Sequence, residues 1–417
     1  AGAVFLPIDV DTPRRRFETI LHKAEPAALI ATEAFAPDLR ERLRAIPGAA
    51  AWLLGVGAAG AAWSERNGTR QKNLSAGLPC GNPEGLPDPD DSVYVLFTSG
   101  STGEPKAVLG RHKGLAHFIH WEKTEFGFDE TVRTSNLAPT TFDVSLRDIF
   151  MPLLAGGAVC IPAAETRMNP ARLLAWLEEK RVSVVHIVPS ILRNLLREME
   201  DRPAGASLLP DLRFVFPAGE ALLGGDVQRI LDRLEGRVQI VNLYGPSETT
   251  LAKFFNRITA RPEDPHKIIP LGQPIANTAA LILKDSRLAA IGEIGEICIK
   301  TPFRSKGYFR DPELTAAAFV CNPLTQDAAD IIYKTGDLGR YLPDRSVEFV
   351  GRLDRQVKIG GVRVELAEVD RAILAIPDIQ QALVVALNRT NGETALACYY
   401  TEKRPVEVPA MRERLDE

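Results

Sequence analysis

Leu96-Phe97-Thr98-Ser99-Gly100-Ser101-Thr102-Gly103-Glu104-Pro105-Lys106-Ala107-Val108 joins an apolar run to a loop crowded with hydrogen-bond donors. The run 93–97 reads as a buried strand. Hydroxyl side chains, glycines and one lysine follow, with no acid before Glu104. Glycines free backbone N–H groups to face a ligand, and donors packed this densely suit a polyphosphate. The spacing is not the Walker pattern, which needs Gly-Lys-Ser/Thr contiguous. Here Glu104-Pro105 separate Gly103 from Lys106. The bland alternative is a solvated Ser/Gly turn.

Downstream of this loop, strands and helices alternate. Asn169-Pro170 is an N-cap followed by proline at the first helical position. Leu173, Leu174 and Leu177 form the apolar face of that helix. Strands are expected at 182–188, 212–216 and 238–243, with helices around 191–199 and 227–234 between them. Repeated strand–helix–strand units imply an α/β fold with a doubly wound parallel sheet. Such sheets bind ligands beyond the carboxyl ends of their strands, here 186–189, 216–219 and 243–248.

Upstream, a strand is expected at 27–30, and Leu115, Phe118 and Ile119 show helical spacing. The Arg14–Arg16 cluster reads as a solvated helix start. Residues 64–91, rich in Gly, Asn and Pro, read as loop. Between 271 and 353 the signal turns to short strands, as at 340–342 and 347–350 around Pro343-Asp344-Arg345-Ser346, so a β-rich subdomain is expected there. After Asp354 a small α/β unit follows, with strands at 356–359, 362–365, 381–386 and 395–400 and a helix near 367–375. The expected domains are a large core, 1–353, and part of a small C-terminal unit, 354–417.

Composition narrows the class. The 417 residues carry 50 basic and 54 acidic side chains, a net charge of −4. Nothing in that balance points to nucleic acid. With 45% hydrophobic and 25% charged residues, the chain has the make-up of a soluble globular protein. Cys80, Cys160, Cys298, Cys321 and Cys398 are scattered without metal-ligand spacing, which predicts reduced thiols in a cytoplasmic protein. No run has the length of a membrane span, and the opening residues do not read as a signal peptide.

Further motifs accompany the donor-rich loop. In order they are Ala1-Gly2-Ala3-Val4-Phe5-Leu6-Pro7-Ile8-Asp9 before it, then Thr141-Phe142-Asp143-Val144-Ser145, Asn242-Leu243-Tyr244-Gly245-Pro246-Ser247-Glu248-Thr249-Thr250, Gly292-Glu293-Ile294-Gly295-Glu296, Tyr333-Lys334-Thr335-Gly336-Asp337 and Gly351-Arg352-Leu353-Asp354-Arg355-Gln356-Val357-Lys358-Ile359. Together they resemble the adenylate-forming superfamily: acyl-CoA synthetases, luciferases and the adenylation domains of nonribosomal peptide synthetases. The resemblance covers nearly the whole chain. The Phe142-Asp143 pair and the Tyr-Gly-Pro-Ser-Glu-Thr-Thr form are those of the peptide synthetase branch. By that pattern, the family's usual start and its last motif, which carries a lysine, are not among residues 1–417. Either this is a fragment or those pieces lie on other segments or chains.

The resemblance implies two steps. An amino acid carboxylate attacks the α-phosphorus of ATP and releases pyrophosphate; the phosphopantetheine thiol of a carrier protein then takes the acyl group. Thr98, Ser99, Gly100, Ser101, Thr102, Gly103 and Lys106 would hold the β- and γ-phosphates. Glu248 would bind Mg²⁺ through oxygen; its alternative is a helix N-cap acid. Ser247 or Thr249 would touch the α-phosphate beside Gly245, and Tyr244 would lie against adenine. Asp337 would accept from the ribose hydroxyls, and Arg352 would meet phosphate or ribose. Lys358 joins the nucleotide site, and Asp354 is the hinge about which the small unit would swing.

Asp143 carries the substrate class. A carboxylate there would pair with the α-ammonium of an amino acid; its alternative is a cap on the helix beginning near Ser145. Val144, Arg147, His186, Phe216, Ala218, Leu243, Leu251 and Ala252 would form the side-chain pocket. Arg147 stands where an apolar wall is expected. Either Arg147 and His186 recognise an acidic or polar side chain, or Arg147 pairs with Asp148 or another acid and only narrows the pocket. The segment 301–308 departs from the family's glycine-rich form, and Gly360 stands where arginine is frequent. Partners implied are a carrier protein, neighbouring synthetase domains and an MbtH-like protein. Two other readings are a free-standing acyl- or aryl-CoA ligase and a non-catalytic partner-binding remnant.

Overall fold

The computed structural model describes residues 2–32, 34–44, 52–56, 62–66, 69–72, 85–99, 105–203, 208–325, 327–388, 394–406, 408 and 411. Gly100, Ser101, Thr102, Gly103 and Cys80 therefore lie outside the described residues. The chain divides into two compact units.

The smaller unit spans Ile8–Asp88 with both chain ends. It contains α1 (Arg14–Ala24), β1 (Ala28–Thr32), α2 (Ala36–Arg44), β2 (Trp52–Val56), β3 (Ala62–Arg66) and β4 (Thr69–Lys72). Phe17 and Leu21 bury one face of α1 against Leu29 and Leu39. Arg14 stays exposed and pairs with Glu18 one turn on, so the arginine cluster is a solvated helix start. The reading of 64–91 as loop is corrected at 64–66 and 69–72: Trp63–Arg66 pair antiparallel with Thr69–Lys72. These strands carry mostly polar residues, so their pairing left no hydrophobic alternation to read.

The larger unit comprises Ala3–Pro7 and Pro89–Pro405. It opens with a hairpin of β5 (Ser92–Thr98) and β6 (Lys106–Arg111), followed by α3 (His112–Phe126). Thr98 pairs with Lys106, so the described ends of the donor-rich loop, Thr98 and Lys106, lie side by side. Next come β7 (Arg133–Ser135), α4 (Val144–Ala155), β8 (Ala158–Cys160), the one-turn α5 (Ala164–Arg167), α6 (Pro170–Glu179), β9 (Val184–Ile187), α7 (Pro189–Glu200), β10 (Phe214–Pro217), α8 (Gly224–Arg233) and β11 (Gln239–Tyr244). The Asn169 side chain accepts the Arg172 N–H and caps α6, as its sequence implies.

The strands lie in the order β8-β7-β9-β10-β11, all parallel. Antiparallel β12 (Phe254–Arg257) and β13 (Gln273–Pro274) extend that edge. Side chains alternate across a strand, and both faces here are apolar. Val185, Ile187, Val215 and Ile240 meet α6, α7 and α8 on one face. Val184, Phe214, Phe216, Val241 and Leu243 meet α3 on the other. A sheet covered on both sides explains why these strands read as continuous apolar runs.

An antiparallel sheet follows, from β14 (Ala279–Lys284), β15 (Arg287–Leu288), β16 (Gly295–Lys300), β17 (Phe319–Cys321), β18 (Ile331–Tyr341) and β19 (Val347–Arg352), with α9 (Pro312–Ala318) before β17. The expected strand at 340–342 is the end of long β18. Last come the hairpin β20 (Gln356–Ile359) and β21 (Val362–Glu365), then α10 (Leu366–Leu374), β22 (Ile379–Asn388) and β23 (Thr394–Glu402). Gly360 and Gly361, at φ 58° and 77°, form the two-residue turn of β20–β21. A tight hairpin turn with positive φ at both positions favours Gly-Gly.

Candidate active site

The predicted residues gather at the carboxyl ends of the parallel strands. β11 ends at Tyr244, and the chain turns sharply through Gly245. A Cβ on Gly245 would stand 2.4 Å from the Leu251 carbonyl oxygen, so only glycine fits beneath the returning segment. Ser247–Thr249 form a single 3₁₀ turn. Thr250 and Leu251 then adopt left-handed φ of 65° and 60°, strained for side-chain-bearing residues and most of all for β-branched threonine.

That strained turn meets Asp143. Asp143 sits at the N-cap of α4, but its side chain makes no capping bond, which removes the helix-cap alternative. Its Oδ2 instead accepts the Leu251 N–H at 3.2 Å. The side chain is buried, which raises its pKa, and it has no ion-pair partner among the described residues. Val144 follows it, half-buried.

Arg147 lies one helical turn on, 3% exposed, with Nε 3.4 Å from Asp148 Oδ1. His186, at the end of β9, is held by Glu122 through Nε2 at 2.9 Å, lies 2.9 Å from Asp148 through Nδ1, and stacks on Phe216. Burial and Arg147 oppose a proton on His186, but Glu122 and Asp148 outweigh them and raise its pKa. Arg147 is thus paired with Asp148, and His186 is engaged by carboxylates of the protein. Leu243, Leu251 and Ala252 pack with Phe216 in one cluster, with Ala218 against it.

Glu248 is completely buried. Its Oε1 accepts the Tyr308 hydroxyl at 2.8 Å and Arg363 Nη1 at 3.2 Å, while Oε2 has no partner. Burial alone would raise its pKa, but Arg363 and Tyr308 bring it below the ordinary value. An N-cap acid would be turned to its own helix; this one is not. Thr249 donates to the Pro246 carbonyl.

Asp337 and Arg352 face one another across β18 and β19. They form an ion pair, and Tyr244 donates its hydroxyl to the other Asp337 oxygen. Arg352 also grips Asp354 by two bonds of 2.6 and 2.7 Å. Lys358 Nζ lies 5.6 Å from the Tyr244 ring centre. Lys106 Nζ is 3.9 Å from Glu365, and the Ser99 hydroxyl donates to the Arg363 carbonyl. The Gly361 N–H donates to Glu220 at 2.9 Å.

The hairpin β20–β21 therefore closes over the strand ends and brings Arg363 and Glu365 into the site; Glu220, Glu122 and Tyr308 join from other segments, and the sequence reading gave none of these five a role. Arg363 and Glu365 flank a motif already quoted, and alternating charges on a short strand were the available signal. Among the described residues no group of three His, Cys, Asp or Glu forms a metal cage, and no helix is long and apolar enough to cross a membrane. Cys160, Cys298, Cys321 and Cys398 are free thiols.

A model of the AMP-binding enzyme family matches residues 1–309. The chain belongs to this family. Among curated relatives of this AMP-binding enzyme, tyrocidine synthase 2 of Brevibacillus parabrevis is 31% identical over 421 residues, covering 99% of this chain and 10% of the relative. Vanchrobactin synthetase VabF of Vibrio anguillarum is 33% identical over 390 residues, covering 92% of this chain and 13% of the relative. The chain thus spans about a tenth of the length of such relatives. The crystal structure of IdnL1 superposes with a TM-score of 0.80 at 26% identity, covering 99% of this chain and 79% of that one. The Vibrio cholerae adenylation domain AlmE, solved with glycyl-adenosine-5'-phosphate, has the same fold, with a TM-score of 0.80 at 21% identity over 100% of this chain and 78% of that one.

Proposed function

We propose that this AMP-binding enzyme is an adenylation domain that activates an amino acid for nonribosomal peptide synthesis. The carboxylate attacks the α-phosphorus of ATP, a new acyl–O–P bond forms, and pyrophosphate leaves. The phosphopantetheine thiol of a carrier protein then displaces AMP. The observation that carries the amino acid reading is Asp143: a buried carboxylate with a backbone donor but no bonded cation. Burial of a carboxylate with no cation in contact is costly, and a substrate α-ammonium supplies that contact.

A carboxylate is already ionised near neutral pH, so the first step needs no general base. It needs anions held together, and the lysines and hydroxyls of the site suit that task. Lys106, Ser99 and Thr98 hold the phosphates with the rest of their loop. Tyr244 and Asp337 take adenine and ribose, and Arg352 and Lys358 offset phosphate charge. The free, buried Oε2 of Glu248 fits a divalent cation, and Mg²⁺ bound there supplies charge neutralisation at the phosphates. Arg147, paired with Asp148, narrows the side-chain pocket instead of matching an acidic substrate. The segment after Asp354 is the mobile part, with Gly361 on the pantetheine path and residues 1–353 as the core. A carrier protein, neighbouring synthetase domains and an MbtH-like protein are the partners, in the cytoplasm.

The test is an ATP–pyrophosphate exchange panel of single amino acids with their des-amino and keto analogues. Exchange selective for one amino acid is expected. Exchange with des-amino acids only would move the reading to a CoA ligase. Nucleotide binding without any exchange would leave a non-catalytic protein.

A further inference from the structure

Under the pocket, one peptide group is held from both sides. The Leu251 N–H donates to Asp143, and the Thr250 carbonyl of the same peptide accepts from Lys253 Nζ at 2.7 Å. Both residues flanking this peptide carry left-handed φ. Lys253 itself has no exposed surface. It sits in Leu251-Ala252-Lys253-Phe254-Phe255, a run otherwise apolar. An ammonium has three donors, and the Thr250 carbonyl is the one hydrogen-bond acceptor it meets among the described residues. A buried ammonium so poorly solvated loses its proton readily unless an anion offsets the burial. Burial pushes its pKa down to about 7, and the attraction of Asp143 is what opposes that fall.

The surroundings offer no other anion to explain it. His117, on α3, donates from Nε2 to the Ala276 carbonyl at 2.9 Å and stacks on Phe303. Burial, with Lys253 second, pushes its pKa down to about 4, so it stays neutral. Tyr94, on β5, reaches the Thr250 hydroxyl at 3.4 Å. Lys253 and Asp143 thus hold the 250–251 peptide from its two ends, one at the carbonyl and one at the N–H.

We infer that Lys253 is a positioning residue for substrate recognition: it locks the 250–251 peptide in its left-handed form and aims the Leu251 N–H at Asp143, the carboxylate that receives the incoming ammonium. This rests on the reading of Asp143 as the ammonium partner. A merely space-filling lysine would affect folding, nucleotide and amino acid alike. A positioning lysine affects the amino acid and spares both ATP and acids that lack the amine.

The experiment compares Lys253→Met, Lys253→Arg and Asp143→Asn in pyrophosphate exchange, with the native flanking sequence retained. The substrates are the proteinogenic amino acid with fastest exchange, its des-amino analogue, and MgATP. Lys253→Met should raise the amino acid KM by about tenfold or more while the KM of ATP and of the des-amino acid move by less than about threefold. Lys253→Arg should recover part of the loss. An unchanged amino acid KM in Lys253→Met overturns the inference. So does a parallel loss of ATP and amino acid binding, which makes the lysine structural. If Asp143→Asn leaves the amino acid KM unmoved, the ammonium reading of Asp143 itself fails, and the inference with it.

Discussion

Replacing Arg193 by methionine strands a buried carboxylate between two helices that leave the ligand-facing strand ends. Arg193 on α7 and Asp226 on α8 are 3% and 5% exposed. Arg193 Nε and Nη2 each approach the carboxylate to 2.9 Å. Methionine keeps the aliphatic volume but leaves Asp226 only the Leu223 N–H at 3.1 Å, and the Ala221 carbonyl loses a donor at 3.3 Å. Breaking one side of a buried ion pair costs about 3–5 kcal/mol. The surviving Leu223 bond argues for the lower end, about 3 kcal/mol. Against a total stability of about 5–15 kcal/mol that is a large fraction. Urea unfolding followed by tryptophan fluorescence reads it: with a slope of about 3 kcal/mol/M, the midpoint should fall by about 1 M. The double variant Arg193→Met with Asp226→Leu removes both charges and should recover most of the loss. A loss under about 1 kcal/mol, or a double variant no better than the single one, would refute the claim that the stranded charge is the cause.

Three further outcomes are expected. The raised pKa of His186 means its contribution is whole below the ordinary histidine pKa and fades as pH rises through the higher folded value; the stability advantage over His186→Gln should therefore shrink as pH rises above the ordinary value of about 6.5, and an advantage that grows with pH would contradict the Glu122–His186–Asp148 arrangement. Gly361→Ala puts a Cβ 2.3 Å from Val188 Cγ1 at φ +77°, so the β20–β21 hairpin should unseat from Glu220 and lose hydrogen-exchange protection across 356–365; unchanged protection would show that the turn is not held there. Tyr308→Phe removes the hydroxyl donor to buried Glu248 and should cost about 1.5–3 kcal/mol in chemical denaturation, whereas a loss below about 0.5 kcal/mol would mean that Arg363 alone satisfies the carboxylate.

Much of the fold could be read because its signals are local. Asn169-Pro170 announced a helix, and apolar runs announced strands buried on both faces. The β3–β4 pair escaped because its residues are polar and its strand character comes from the partner strand. At the site, Asp143, Glu248 and Asp337 were legible as carboxylates in motifs, but whether Asp143 and Glu248 capped a helix or faced a ligand was not. That choice depends on where a side chain points, and chain neighbours do not fix it. Asp143 could have bonded its own helix; the strained turn at Thr250–Leu251, 107 positions away along the chain from Asp143 to Thr250, offers it an N–H instead.

The sequence by itself determined the class of fold, the order of the motifs, and the donor-rich loop that follows an apolar strand. Those properties follow from periodicity, backbone freedom and residue chemistry over a few neighbours. Only the tertiary structure decided how the buried charges are matched: Arg147 with Asp148, His186 with Glu122, Arg363 with Glu248, and Lys253 with Asp143 through a single peptide. Each pairing joins different elements or resolves a choice among nearby partners. In a low-dielectric interior an ion must have a counter-charge close by, and which one it finds is set by packing, not by distance along the chain.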